Sequence, residues 1–335
     1  MNDDTPPDDN WTENLANLGK AIGPFLPKLR NLRKVRDRLL GDVAEAAFDA
    51  LVSRMRLYQT RNQAEAIRTV VERSGLPPSV AHEMVSRQEA IDTLVADALG
   101  RIAQDGKPST GPTAETEASG ATSDDEWFDV YRREAADRSA GEMREAFVRV
   151  LEGEIRQPGT FSVQTLRVLG TISTATAARF RRAASVCMSQ DPGDARIPAV
   201  GGRLGDNCLK DVGLSFDVLT LLTENGLLHP DYSCRMSYGP IYGALSIPGA
   251  RIPPNTQLPF RHQGRRWVLV GASDELGMKP VRVAGAAFTT AGRELLKVVD
   301  IELMPEFTER LKAHFAKSKY EMVEVAEDVS VYQRL

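Results

Sequence analysis

Cysteine is scarce in this chain: Cys187, Cys208 and Cys234 are the whole set in 335 residues. An odd and sparse set of thiols excludes a disulfide framework and fits a reducing compartment. It also speaks against structural zinc, which favours close Cys pairs, so Cys208, His229 and Cys234 make a poor ligand set. Histidine is nearly as rare, with four in the chain. A nucleophilic mechanism needs a thiol or hydroxyl beside a base and an orienting acid. Cys208, Asp211, His229 and Asp231 supply such groups, yet no nucleophile elbow surrounds them, and the plain reading is inert thiols and a surface histidine. The glycine-rich GGRLGDN, 201–207, lacks the Lys-Ser/Thr ending of a phosphate-binding loop and follows no evident strand, so it reads as a loop. Glu152 and Glu154 are two apart on a helix and point to different sides, which rules them out as a carboxylate pair. No catalytic residue, metal site, cofactor or small-molecule substrate is expected.

Long apolar runs are missing too. None approaches the roughly 18 residues of a membrane span, and the opening MNDDTPPDDNW has neither the basic nor the apolar region of a signal peptide. A cytoplasmic location is the expectation. The formal net charge of -4 gives no overall attraction to nucleic acid or anionic lipid, so contact with a polyanion has to come from a local patch.

Helical periodicity, by contrast, is plentiful. After an acidic tail over 1–11, a helical region spans 12–104, interrupted by Pro24 and Pro27. From Lys28 onward, Leu29, Leu32, Val35, Leu39 and Val43 recur at spacings of three and four, and Ser74-Gly75 before LPP marks a stop. A further pair of helical segments is expected between Ser79 and Gln104. DGKPSTGPTAETEASGATSDD, 105–125, is rich in Gly, Pro, Ser, Thr and acid, and reads as a linker dividing the N-terminal helices from the rest of the chain.

A central helical bundle is expected over 126–195. Ser139 and Glu142 have capping-box spacing, and Met143, Phe147, Val150, Leu151 and Ile155 form an apolar face that should end near Arg156. Pro158-Gly159 closes that helix; Ser162 caps the next, with Phe161 and Leu166 as a hydrophobic staple. A helix over about 175–188 comes after it, then a loop-like SQDPGDARIPAVGGRLGDN.

From 196 to 335 the pattern turns mixed. LSFDVLTLLTENGLL reads as a helix ending at Gly226, LPFRHQGRRWVLVGA as a hairpin around Gln263-Gly264, VRVAGAAF as a strand, and TTAGRELLKVV as a helix capped by Thr289 or Thr290. PEFTERLKAHF and YEMVEVAEDVSVY add a helix and a strand. The fold class expected is mainly α with a smaller α+β part, the last portion resembling a winged helix with an insertion at 229–257.

DEWFDVYRREAADRSAGEMREAFVRVLEGEIRQPGTFSVQTLRVLGTI, with RLYQTRNQAEAI upstream and FTTAGRELL downstream, resembles the bacterial family known as domain of unknown function 2806 over roughly 28–300. Glu126-Trp127 departs slightly from the family's Asp-Trp start. The resemblance implies no catalytic residues. It implies a bacterial cytosolic protein and an association with phage-defence or mobile-element loci.

Two basic clusters remain as candidate contact surfaces. Lys28, Arg30, Arg33, Lys34, Arg36 and Arg38 face one acid, Asp37, along an amphipathic segment suited to anionic lipid or a phosphate backbone; a solvated helix face accounts for it equally simply. Around the hairpin stand Arg251, Arg261, His262, Arg265, Arg266 and Arg282, with Trp267 beside them. Against nucleic acid, the helix that would enter a groove carries Asp217 and Glu224 and no Lys or Arg. The expectation is therefore a non-enzymatic interaction or regulatory protein with a protein partner or self-association; nucleic-acid binding through the wing and membrane association through 13–40 are the alternatives.

Overall fold

The computed structural model describes residues 63–105, 124–138, 141–190, 193–202, 207–232, 235–238, 256–257, 259–277 and 279–325. The 13–40 segment, Ser139, Cys234, Arg251 and nearly all of the 105–125 stretch lie outside them. The chain divides into two compact units, Met1–Gly170 and Thr171–Leu335.

In the first unit, α1 (Gln63–Ser74) ends where the Gly-Leu-Pro-Pro stop predicts, and α2 (Pro78–Asp105) begins on a proline, the residue best tolerated in a first turn. The expected pair of helices is a single one of 28 residues running through Gly100. Its buried stripe, Ile91, Leu94, Val95, Ala98, Leu99 and Ile102, continues across that glycine. Burial of such a stripe outweighs the roughly 1 kcal/mol a mid-helix glycine costs. Three more helices complete the unit: α3 (Asp124–Ala136), α4 (Gly141–Arg156) and α5 (Val163–Thr171).

The predicted face of α4 is buried at every position from Met143 through Phe147, Val150 and Leu151 to Ile155. It meets α2, so helices from both sides of 105–125 share one core. Arg101 forks onto Glu145 at 2.7 and 2.6 Å, Arg144 pairs with Asp97, and Arg132 donates to Gln88 at 2.8 Å. Tyr131 lies edge-on to Phe147, and its hydroxyl donates to the Phe147 carbonyl at 3.1 Å.

The second unit starts with α6 (Thr174–Ser185), capped by Ser173. That helix stops three residues short of the expected 188, so β1 (Met188–Ser189) starts on its expected last residue, and the run expected to be loop contains β2 (Ala195–Pro198), all four residues of which are buried. A short strand covered on both faces shows no alternation, so no period betrays it. Then come α7 (Phe216–Glu224), β3 (Arg235–Tyr238), β4 (Phe260–His262), β5 (Arg265–Gly271), α8 (Asp274–Gly277), β6 (Val281–Ala287), α9 (Thr290–Leu295), α10 (Pro305–Lys317) and β7 (Tyr320–Val325). Thr289 caps α9, accepting from the Gly292 N–H at 3.0 Å. The strands form one sheet in the order β3-β6-β2-β1-β4-β5-β7, each neighbouring pair antiparallel.

The fold is thus mixed α+β with substantial helix. The sheet is broader than a wing: β6 does not extend the β4–β5 hairpin but joins β2 and β3, while β5 takes β7. Helix α10 lies on the face that carries Phe260, His262 and Trp267, through Phe315, Phe307 and Lys312 respectively.

Candidate functional site

The hairpin around which the arginines cluster turns at Gln263-Gly264, with φ of 50° and 72°. Two successive positive φ values match the right-handed twist of paired strands, and glycine takes the second without strain. Gln263 tolerates the first because its side chain is held: Nε2 donates to the Met304 carbonyl and Oε1 accepts from the Met304 N–H, both at 3.0 Å. The hairpin tip is clamped to the segment that leads into α10.

Register decides where each basic residue points. Arg261 faces Arg266 directly, while His262 pairs with Arg265 and Phe260 with Trp267. Since side chains alternate between faces, Arg261 and Arg266 share the side away from α10, and His262, Arg265 and Trp267 take the α10 side. The cluster read from the sequence is therefore split between two faces. Arg265 is paired with Glu324 at 3.0 Å. Trp267 is buried, its indole N–H donates to the His262 carbonyl at 3.2 Å, and the Lys312 ammonium sits 5.5 Å above its ring. Carried through the registers of β1, β2 and β6, the same pleat puts exposed Arg282, and Arg235 on β3, on the Arg261 side. Arg235 escaped the sequence reading because it stands 25 positions before Phe260, where the hairpin begins. The basic run of Lys28, Arg30, Arg33, Lys34, Arg36 and Arg38 lies outside the described residues.

His262 is buried, with Nδ1 2.9 Å from the Cys187 carbonyl and Nε2 3.1 Å from the Thr308 hydroxyl. It ties β4 to the chain entering β1 and to α10. Burial lowers its pKa, with the Cys187 carbonyl pulling the other way. Burial likewise pushes the Cys187 thiol up to about 12, far from a nucleophilic thiolate. Asp211 is paired with Arg310 at 3.1 Å, and His229 is exposed. Among the described residues no three His, Cys, Asp or Glu side chains gather as a metal site. The GGRLGDN stretch does come after a strand, β2, contrary to the sequence reading. Its Asn207 side chain accepts from the Phe216 N–H at 2.7 Å, which helps start α7.

Glu154, set aside above as half of a carboxylate pair, has a different task. It is buried, and its carboxylate accepts from the Gly159 N–H at 2.6 Å and the Phe161 N–H at 2.9 Å. The acid closes the α4–α5 corner by holding backbone donors, a structural task. The signal was an acid five and seven residues before a Pro-Gly turn and its exit.

No curated protein and no solved structure matches this chain. A family model does match over residues 81–312, more than half of the sequence, so the chain belongs to the family described as "Protein of unknown function (DUF2806)".

Proposed function

We propose that this chain acts by binding rather than by catalysis, and that its second unit takes the acidic surface of a protein partner on the sheet face bearing Arg261 and Arg266. The observation that carries this reading is the register that sets these two arginines opposite each other. Exposed Arg282 and Arg235 lie on the same side of the sheet, and a run of basic side chains on one face suits an acidic partner surface. Cys187 and His262, both buried and committed to internal hydrogen bonds, suit the same reading.

A winged-helix use of the hairpin against a phosphate backbone is the second reading, favoured by the same arginines. Exposed Asp217 and Glu224 on α7, which would enter the groove, weigh against it. So does the burial of Phe260 and Trp267, which removes the hairpin's aromatic rings from any stacking with bases. The setting in phage defence rests on the family resemblance, and plating efficiency of phage on bacteria with and without the chain tests it.

The binding test uses the full chain with two labelled probes, an acidic polyglutamate peptide and a duplex oligonucleotide, titrated at several salt concentrations. Arg261→Glu/Arg266→Glu should weaken peptide binding by about tenfold or more, and Arg265→Glu, on the other face, by far less. Equal effects of the two variants would remove the reading. Tighter binding to the duplex, with a steep salt dependence, would replace it with nucleic-acid recognition.

A further inference from the structure

Among the large apolar side chains that are exposed in the described residues, Phe216 is the one aromatic ring, with 45% of its surface open. It stands in the first turn of α7, where its N–H donates to the Asn207 side chain, so the backbone beneath the ring is fixed. Half-buried Tyr232 packs against it edge to face, with centroids 6.1 Å apart and planes at 83°. The Tyr232 hydroxyl lies 2.9 Å from that of Thr223. Phe216 and Thr223 are seven apart and share one face of α7, and Tyr232 spans that face. Each member of the cluster also has an exposed acid as its neighbour in the chain: Asp217 follows Phe216, Glu224 follows Thr223 and Asp231 precedes Tyr232. Over 211–234 the sequence adds one more acid, Asp211, and holds no Lys or Arg, although those two types number 42 in the whole chain.

We propose that this face of α7 is a second docking surface, one that takes an arginine-bearing segment of a protein partner over the Phe216 and Tyr232 rings. Charge selects the occupant. Carboxylates beside each member of the cluster attract a cation and repel an acidic protein, a nucleic acid or an anionic lipid surface. The rings narrow the choice further, because a guanidinium is planar and weakly hydrated, stacks on an aromatic face and forks onto a carboxylate at once, whereas an ammonium is a compact, strongly hydrated charge. Tyr232 is already held by Phe216 on one side and Thr223 on the other, so little side-chain freedom is left to lose on binding. This surface is opposite in sign to the sheet face bearing Arg261 and Arg266, and its occupant does not depend on what that face binds.

The test titrates the full chain with two labelled peptides of equal length, alternating Arg-Gly and alternating Lys-Gly, at low and moderate salt. The arginine peptide should bind about threefold or more tighter than the lysine peptide. Phe216→Leu keeps the charge and the apolar bulk but removes the ring; it should weaken the arginine peptide by about threefold to tenfold and erase the preference over lysine. Asp217→Asn/Glu224→Gln should weaken both peptides by about tenfold. Asp129→Asn/Glu306→Gln, the same charge change at exposed acids elsewhere, should leave binding nearly as in the parent. No binding at low salt, an arginine preference that survives Phe216→Leu, or equal losses in the two acid-to-amide pairs would each overturn the proposal. Self-association of the parent that Phe216→Leu abolishes, read by sedimentation, would overturn it as well, by making the occupant a second copy of this chain.

Discussion

Asp92 shows how one side chain can carry a pH dependence. It is buried on α2, and desolvation raises its pKa to about 6 from 3.8 against the lowering influence of the Gln88 hydrogen bond and the Arg132 charge. A carboxyl whose folded pKa lies above its unfolded one binds its proton more tightly in the native state. Its contribution to stability is complete below the unfolded value and is lost as pH rises through about 6. Asp92→Asn keeps the acceptor for Gln88 and removes the buried charge. Urea denaturation should therefore show the variant gaining stability over the parent at pH 7.5, with the gain shrinking progressively as pH falls toward 4; a difference equal at both ends of that range would refute the assignment. Glu145 is the opposite case: the Arg101 hydrogen bond, and then that of Arg149, hold its pKa down to about 2. None of this is legible in sequence, because an acid on a helix is usually solvated and unpaired, and only packing reveals that Asp92 is buried and that Glu145 is held by two arginines.

At the level of elements, the α4–α5 corner was largely legible. Pro158-Gly159 ends one helix, and Ser162 opens the next, accepting from the Thr165 N–H at 3.3 Å while Phe161 and Leu166 are buried on either side of the cap. Gly153 has a reason that only contact discloses: a Cβ there would come within 2.7 Å of the Phe161 ring. The corner's strongest polar contact, Glu154 onto two backbone N–H groups, depends on the chain turning back over the helix end. Ser162→Ala should cost about 1 kcal/mol, and Glu154→Gln, which leaves one buried donor facing an amide, about 1–3 kcal/mol. Chemical denaturation of both variants checks the order; a Glu154→Gln cost below that of Ser162→Ala would show that the carboxylate is dispensable. The β4–β5 hairpin was equally visible from its turn and β-rich flanks. Which face each arginine takes was not, because a one-residue change of register exchanges the faces.

Across the whole molecule, the division of the chain departs most from the sequence reading. Composition marks 105–125 as a boundary, yet α2 on one side and α3 and α4 on the other are joined by Arg101–Glu145, Arg144–Asp97 and Arg132–Gln88. The units part instead at Gly170/Thr171, so α6 goes with the sheet, where Phe180 meets Phe288 edge-on and the Ser185 hydroxyl accepts from the Glu302 N–H. A protease site placed between residues 110 and 116 should accordingly yield two fragments that still co-elute in gel filtration, whereas separation after cleavage would restore the linker as a domain boundary. No helix among the described residues is long and apolar enough to cross a membrane.

Helices, caps, the hairpin turn and the family came from the sequence itself, because each is written in local spacing: a period near 3.6, a hydroxyl before a helix, a glycine where φ is positive. The three-dimensional structure alone settled which strands neighbour one another, which arginines share a face, and which polar side chains are buried. Those depend on residues far apart in the chain meeting across a sheet or a helix pair, and no local pattern encodes a partner 44 or 75 positions away.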